Sequence, residues 1–260
     1  MRLNNAPLVE ALVEIRWKLL EETAGGVVDP NYQVFFGRLS DRVTDEYPNH
    51  ERLPTASLPE EFASHLVQHR FWQEGNEHPL LQVGPGIFTF NETEKYDPDD
   101  FRRRANDAVG LLCSAYPSPD SLEVESVQLR YINRELFDYE EEDLFSFLRD
   151  FMGVEIRLPS LMFSPVDVSP VPAGLSLQSS FPVSSPAGMA TVRFSTGEDN
   201  DGSNMLIWET VVTSAGDDVP TLPNNFSAWF DDAHRITHRW FESLTSGVLA
   251  ERYRNGAANS

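Results

Sequence analysis

The stretch from Val124 to Asp138, VESVQLRYINRELFD, constrains this chain more than any other. As an extended strand it sends Val127, Leu129 and Tyr131 to one face and Gln128, Arg130, Ile132 and Arg134 to the other. Neither face is purely apolar. Two arginines and an asparagine among β-branched and aromatic residues predict a strand inside a sheet, with its polar side chains paired rather than solvated. Residues 8 to 18, LVEALVEIRWK, alternate too, with Val9, Ala11, Val13, Ile15 and Trp17 against Glu10, Glu14, Arg16 and Lys18. That pattern is a half-buried strand. If the two strands are neighbours, Glu10 or Glu14 pairs with Arg130 across the sheet.

Between them the spacing predicts a helix capped by Asp29 with Pro30 in its first position, carrying Tyr32, Phe35, Phe36, Leu39 and Val43 as an apolar stripe. A polar, proline-marked segment (Tyr47 to Glu60) precedes three short strands, His69 to Gln73, Leu80 to Val83 and Ile87 to Asn91. Turns at Gly75-Asn76-Glu77 and Gly84-Pro85-Gly86 make them an antiparallel meander. Asp97-Pro98-Asp99-Asp100 starts the next helix, whose stripe is Phe101, Ala105, Ala108, Leu112 and Ala115. A short acid-capped helix, Glu141 to Met152, ends at Gly153.

Four prolines between Arg157 and Gly174 exclude regular structure and mark the boundary between two units. Beyond it the outline of strand, strand, strand, helix recurs: strands near 175 to 182, 188 to 195 and 204 to 213, then a helix from about Asn225. The expected architecture is α+β, two antiparallel meander-plus-helix units packed together: residues 1–156, a connector at 157–174, residues 175–254, and a disordered tail at 255–260.

With 260 residues, five Trp and seventeen Phe, the chain can fill a core. No apolar run approaches the roughly 18 to 20 residues of a membrane span, and Glu10 and Glu14 interrupt the apolar N-terminal patch, so the expected location is cytoplasmic with no membrane partner. The lone Cys113 falls on the apolar side of its helix and reads as a core residue. The net charge of −21 repels phosphate backbones, which disfavours direct nucleic-acid binding. The same acidity is either a solvated surface or the face of a DNA mimic that docks a basic partner.

GxSxG, GxGxxG, CxxC, HExxH and a phosphate loop are all missing, which leans away from an enzyme, and no cofactor is expected. Two polar clusters remain. Asp231, His234 and His238 share an arc of the last helix, and two histidines four apart with a carboxylate can hold a metal ion that activates water for hydrolysis, unless they are simply a hydrogen-bonded helix face. Glu10, Glu14, Arg130, Asn133 and Arg134 form either a structural ion-pair network or a pocket for an anionic group. Arg102, Arg103 and Arg104 read as a solvated helix face.

APLVEALVEIRW, LRYINRELF and DAHRITHRWFESLTSGVL, in that order and spacing, resemble a sporadically distributed bacterial protein family of unknown function whose members have about this length. Pro7, Glu10, Arg130, Tyr131, Asn133, His234 and Phe241 carry the resemblance. It implies a cytoplasmic accessory role, of the antitoxin or defence-locus kind, and supplies no catalytic residues; together with the missing motifs and the acidity it points to an interaction protein whose partner is another protein encoded nearby.

Overall fold

The computed structural model describes residues 6–21, 26–59, 62–75, 78–93, 96–118, 121–139, 141–163, 166, 168–199 and 201–255. Residues 76–77 of the expected turn and 256–260 of the expected tail lie outside them, while Asn255, the first residue of that tail, ends the last helix. The protein is α+β, with one nine-stranded antiparallel sheet at its centre. Strands β1 (Leu8–Trp17) and β8 (Val124–Leu136) pair in the middle, with Val13 opposite Leu129 and Leu12 opposite Arg130. Beyond β1 come β7 (Ile87–Glu92), β6 (Leu80–Gly84), β5 (His69–Trp72) and β4 (Asn49–Arg52). Beyond β8 come β11 (Asn204–Ala215), β10 (Ala187–Glu198) and β9 (Ser176–Ser184). Outside this sheet, β2 (Leu20–Glu21) and β3 (Val27–Val28) form a small hairpin.

The helices are α1 (Tyr32–Val43), α2 (Pro98–Ala115), α3 (Leu144–Met152), α4 (Phe226–Leu244) and α5 (Val248–Asn255). The first half of the chain runs strand, helix, four-strand meander (β4 to β7), helix, and the second runs strand, helix, three-strand meander (β9 to β11), then α4 and α5. In each, the last meander strand returns to pair with the opening strand, β7 with β1 and β11 with β8. The outline that recurs in the sequence is therefore preceded in both halves by a strand and a helix, and the two opening strands join the halves. Among the described residues of 157–174 there is one 3-10 turn, Ser160–Met162.

Register decides which side chains meet the helices. Val13, Phe90, Leu129, Val212 and Ala190 lie in one row across five strands, buried beneath α1, α2 and α4. Trp208 and Phe194 continue the same face and pack with Leu148 of α3 and Leu249 and Tyr253 of α5. All five helices thus lie on one side of the sheet. Trp229 of α4 donates its indole N–H to Ser214 Oγ at 2.8 Å, and Ser214 donates to the Ala187 carbonyl, which ties α4 to β11 and β10.

Several expectations need correction. Asp29 does not cap α1: Asn31 occupies the cap position without a side-chain bond, because Asp29, Pro30 and Asn31 form a preceding turn. Asp29 instead accepts from Trp17 Nε1 at 2.8 Å, from the Gly86 amide at 3.2 Å and from the Asn31 amide at 3.0 Å. It pins the end of β1, the β6–β7 turn and the approach to α1 at one point. Trp17 packs edge-on to Phe35 and Tyr116, with ring centroids 5.7 and 5.9 Å away. Val9 sits at a register shift in the β1–β8 pairing and is exposed rather than inside. The polar segment after Tyr47 contains β4, a short charged edge strand that binary patterning misses because it has no apolar face. The short helix begins at Leu144 rather than Glu141, since Asp143 is the residue whose side chain accepts from the Phe145 and Ser146 amides.

The turn Gly84-Pro85-Gly86 has no room for side chains. A Cβ on Gly84 would lie 1.8 Å from the Leu66 carbonyl oxygen, and Gly86 has φ +74°.

Asp29→Ala leaves the buried Trp17 N–H and the Gly86 amide without their acceptor. It is expected to lower unfolding free energy by about 2–3 kcal/mol in urea titrations, with Asp29→Asn losing less because its carbonyl oxygen still accepts.

Candidate functional site

Because the helices share one side, no described helix covers the other side of the sheet; it is open from β1 to β10 and closed at β6–β7, where Leu66 lies against Gly84 and Ile87, Thr89 and Asn91 are buried. The residues opposite the core face that way together. Near the centre they are Glu10, Leu12, Glu14 and Arg16 of β1, Gln128, Arg130, Ile132 and Arg134 of β8, and Ile207, Glu209, Val211 and Thr213 of β11. Thr89 and Asn91 of β7 continue the rows on one side and Arg193 of β10 on the other. Leu136 and Met189 at the margins are 68% and 40% exposed. The face interleaves apolar residues with paired charges. On the sheet strands, Arg16, Arg70, Arg130, Arg134 and Arg193 stand against Glu10, Glu14, Glu51 and Glu209, so this side is close to neutral although the chain carries −21.

The expected pairing of Arg130 with Glu10 or Glu14 does not occur. Arg130 donates from Nε and Nη2 to both oxygens of Glu209 at 2.9 and 2.8 Å, and Arg193 approaches the same carboxylate at 3.4 Å. Glu14 accepts from Arg16 two residues on, at 2.7 Å, and Glu10 from Asn91 Nδ2 at 2.5 Å. Arg130 stands opposite Leu12 on β1 and Val211 on β11, with an acid one pleat away on either side, and the two on β1 are engaged by Arg16 and Asn91 while Glu209 on β11 takes both prongs of the guanidinium. Arg134 pairs with Asp199. Asn133 leaves the cluster altogether. It lies on the helix side, opposite Trp208, and is 2% exposed. Glu209 of β11 and Arg193 of β10 are the two members of the cluster that the sequence reading does not include, although Glu209 alternates with Leu206 and Trp208 in NMLIWETVV and Arg193 with Val192 and Phe194 in TVRFS.

The last-helix cluster sits on the helix side. Asp231 is engaged by Arg102 of α2 in a two-pronged contact, with Arg102 also donating to Ser227 Oγ at 2.9 Å. His234 Nδ1 lies 2.9 Å from the Tyr131 hydroxyl, which in turn lies 3.1 Å from the Tyr96 hydroxyl. His238 stacks on His234 with centroids 5.7 Å apart and faces Glu242 at 3.6 Å. Asp231, His234 and His238 share a helix flank as their spacing predicts, but they are spent on separate partners. Among the described residues no group of three or more His, Cys, Asp or Glu is placed to hold a metal ion. Arg103 and Arg104 also meet aspartates, Asp100 and Asp107 for Arg103 and Asp100 for Arg104, so the basic run is internally neutralised.

Burial sets the titration of this region. It pushes the Tyr131 phenol well above its ordinary range and Tyr96 up to about 12. Burial, reinforced by His238, holds His234 below the usual imidazole range, against the opposing pull of Asp231 and Asp99. At the sheet edge, burial beside His50 and Arg52 pushes His69 down to about 4. Cys113 is buried and free, its thiol pushed up to about 11 by desolvation, which disfavours the nucleophilic thiolate. No helix among the described residues is long and apolar enough to cross a membrane. No protein-family model matches the chain, and no curated protein is similar enough in sequence to count as a relative.

Two predictions test these contacts. Arg130→Ala leaves the half-buried Glu209 with only the longer Arg193 contact and is expected to cost about 2 kcal/mol, between a surface and a buried pair. Converting Arg130 to Met and Glu209 to Leu together recovers most of that loss in urea unfolding. For the histidines, a lowered folded-state pKa means that the unfolded chain binds more protons below about pH 6.5. Stability is then full above that pH and lost as pH falls, to about pH 4 for His69. His234→Asn removes one titrating group, so its urea midpoint declines less steeply between pH 7.5 and 5 than that of the wild type.

Proposed function

We propose that this chain is a non-enzymatic interaction protein that docks another protein on the open side of its sheet, in an accessory role of the antitoxin or defence-locus kind. The observation that carries the reading is the open face itself: a broad surface, all the described helices on its far side, where Ile132, Ile207, Leu136 and Met189 alternate with arginines already clamped by acids. Clamped arginines are pre-ordered, so a partner that meets them loses less side-chain entropy on binding. The near neutrality of this face also lets an acidic or neutral protein approach without the repulsion of the chain's overall charge. The resemblance described from the sequence supports a partner encoded nearby.

Leu136 and Met189 are exposed on this face, and Val34 is exposed on the outer surface of α1. Tagged chains captured from the native host are expected to bring down one stoichiometric protein with the wild type and with Val34→Asp, and to lose it with Leu136→Asp plus Met189→Asp. All three chains should melt within about 0.5 kcal/mol of one another, as exposed substitutions do. A partner retained by the open-face variant contradicts the reading.

A further inference from the structure

The nine-stranded sheet has two edges, and they are built differently. β4 is four residues long and carries His50, Glu51 and Arg52, the short charged form that discourages a further strand. β9 runs for nine residues and carries no charge. It lies inside a longer neutral run: residues 168–192 contain no Asp, Glu, Lys or Arg, in a chain whose net charge is −21. Among the described residues β10 alone pairs with β9, and no other backbone hydrogen bond reaches its outer edge. The outward N–H and C=O groups of β9 are therefore an open template for another strand. Beside that edge, on the helix side, Phe181 is 48% exposed and meets Trp240 of α4 edge-on, with ring centroids 5.8 Å apart.

We propose that β9 pairs antiparallel with β9 of a second copy of the chain, about a two-fold axis through Ser179, so that one continuous sheet crosses a dimer. This is independent of the docking reading, since it uses the edge of the sheet and not its open face. Charge selects the occupant. Two chains of −21 repel each other over most of their surfaces, and along this strand they meet with no carboxylate to face or desolvate. Symmetry selects the arrangement. A two-fold axis perpendicular to the sheet sets the strand antiparallel to its copy and keeps both helix layers on one side. Residues opposed in an antiparallel pair share a face, so the axis passes through a residue and not between two. With the axis at Ser179, Leu177 and Phe181 oppose each other twice on the helix side, and Gln178 and Ser180 twice on the open side. Pro182, which has no N–H to donate, then falls at the end of the ladder opposite Ser176. An axis at Ser180 places Pro182 opposite Gln178, inside the ladder. The pairing uses the uncharged edge once and leaves only the two charged β4 ends, so the assembly closes as a dimer instead of growing.

Sedimentation velocity of the full chain is expected to show a reversible dimer at micromolar concentration, tightened by added salt, which screens the repulsion between two acidic chains. Ser179→Asp and Ser179→Lys each set like charges against themselves across the axis, and each is expected to weaken the dimer by about tenfold or more. An equimolar mixture of the two restores association as a heterodimer. Cross-linking supplies a second readout. Opposed Cβ atoms of an antiparallel pair lie about 4.5–5.5 Å apart, so mild oxidation should join two Ser179→Cys chains, while Ser176→Cys, opposite Pro182, stays single. The native Cys113 is buried and does not compete. A wild-type chain that is monomeric throughout, or a dimer unmoved by both charge variants, overturns the proposal. So does a mixture of folded charge variants that fails to reassociate, or a dimer that added salt weakens. Where the charge variants do not fold, the absence of a Ser179→Cys cross-link in folded protein overturns it.

Discussion

Everything in this structure depends on the antiparallel pairing of β1 with β8. Those strands open the two halves of the chain, and each is also the strand to which its own meander returns, β7 to β1 and β11 to β8. Without the central pairing there would be two small sheets, each with a long hydrophobic edge. With it, a single sheet ends on β4 and β9, and the edge at β4 is short and charged. The pairing register also fixes which side of every other strand meets the helices, because a one-residue slip would exchange the two faces throughout.

From that register follows the division of labour between the faces. The helix side takes the aromatic and aliphatic core together with its buried polar links, Trp229 to Ser214 and Tyr131 to His234. The open side takes the arginines and their acids. A chain of net charge −21 would ordinarily expose carboxylates everywhere, yet the strands of this side balance theirs with arginine. The acidity is therefore carried mostly by helices and loops, and the sheet offers the least repulsive approach to a partner. The functional proposal grows from this distribution of charge and not from any catalytic constellation.

Much of this was legible in the sequence, and the parts that were not have physical causes. Alternation located β1, β5 to β8 and the last three strands, and the Asp97-Pro98 cap located α2 with its full stripe. Alternation also held the information that Asn133 shares a face with Tyr131 and not with Arg130. Pair partners were another matter. Arg130 has acids one pleat away on both sides of its strand, at Glu10 and Glu14 and at Glu209, and the choice follows from which of them other side chains engage, Asn91 for Glu10 and Arg16 for Glu14. Asp29 looked like a helix cap because Asp-Pro is a common helix start; its real partners, Trp17 and Gly86, are distant in sequence. The burial of Thr89 and Asn91 had no sequence signal, since a polar residue in a strand normally reads as solvent-facing.

The central claim, that the open sheet face receives a protein partner, is tested most directly by hydroxyl-radical footprinting of the chain alone and in complex with the protein that co-purifies with it. The account predicts that Leu136, Met189 and Ile132 lose reactivity in the complex while Val34 on the outer side of α1 stays unchanged. Protection of Val34 with undiminished oxidation of Leu136 and Met189 would place the partner on the helix layer and contradict it.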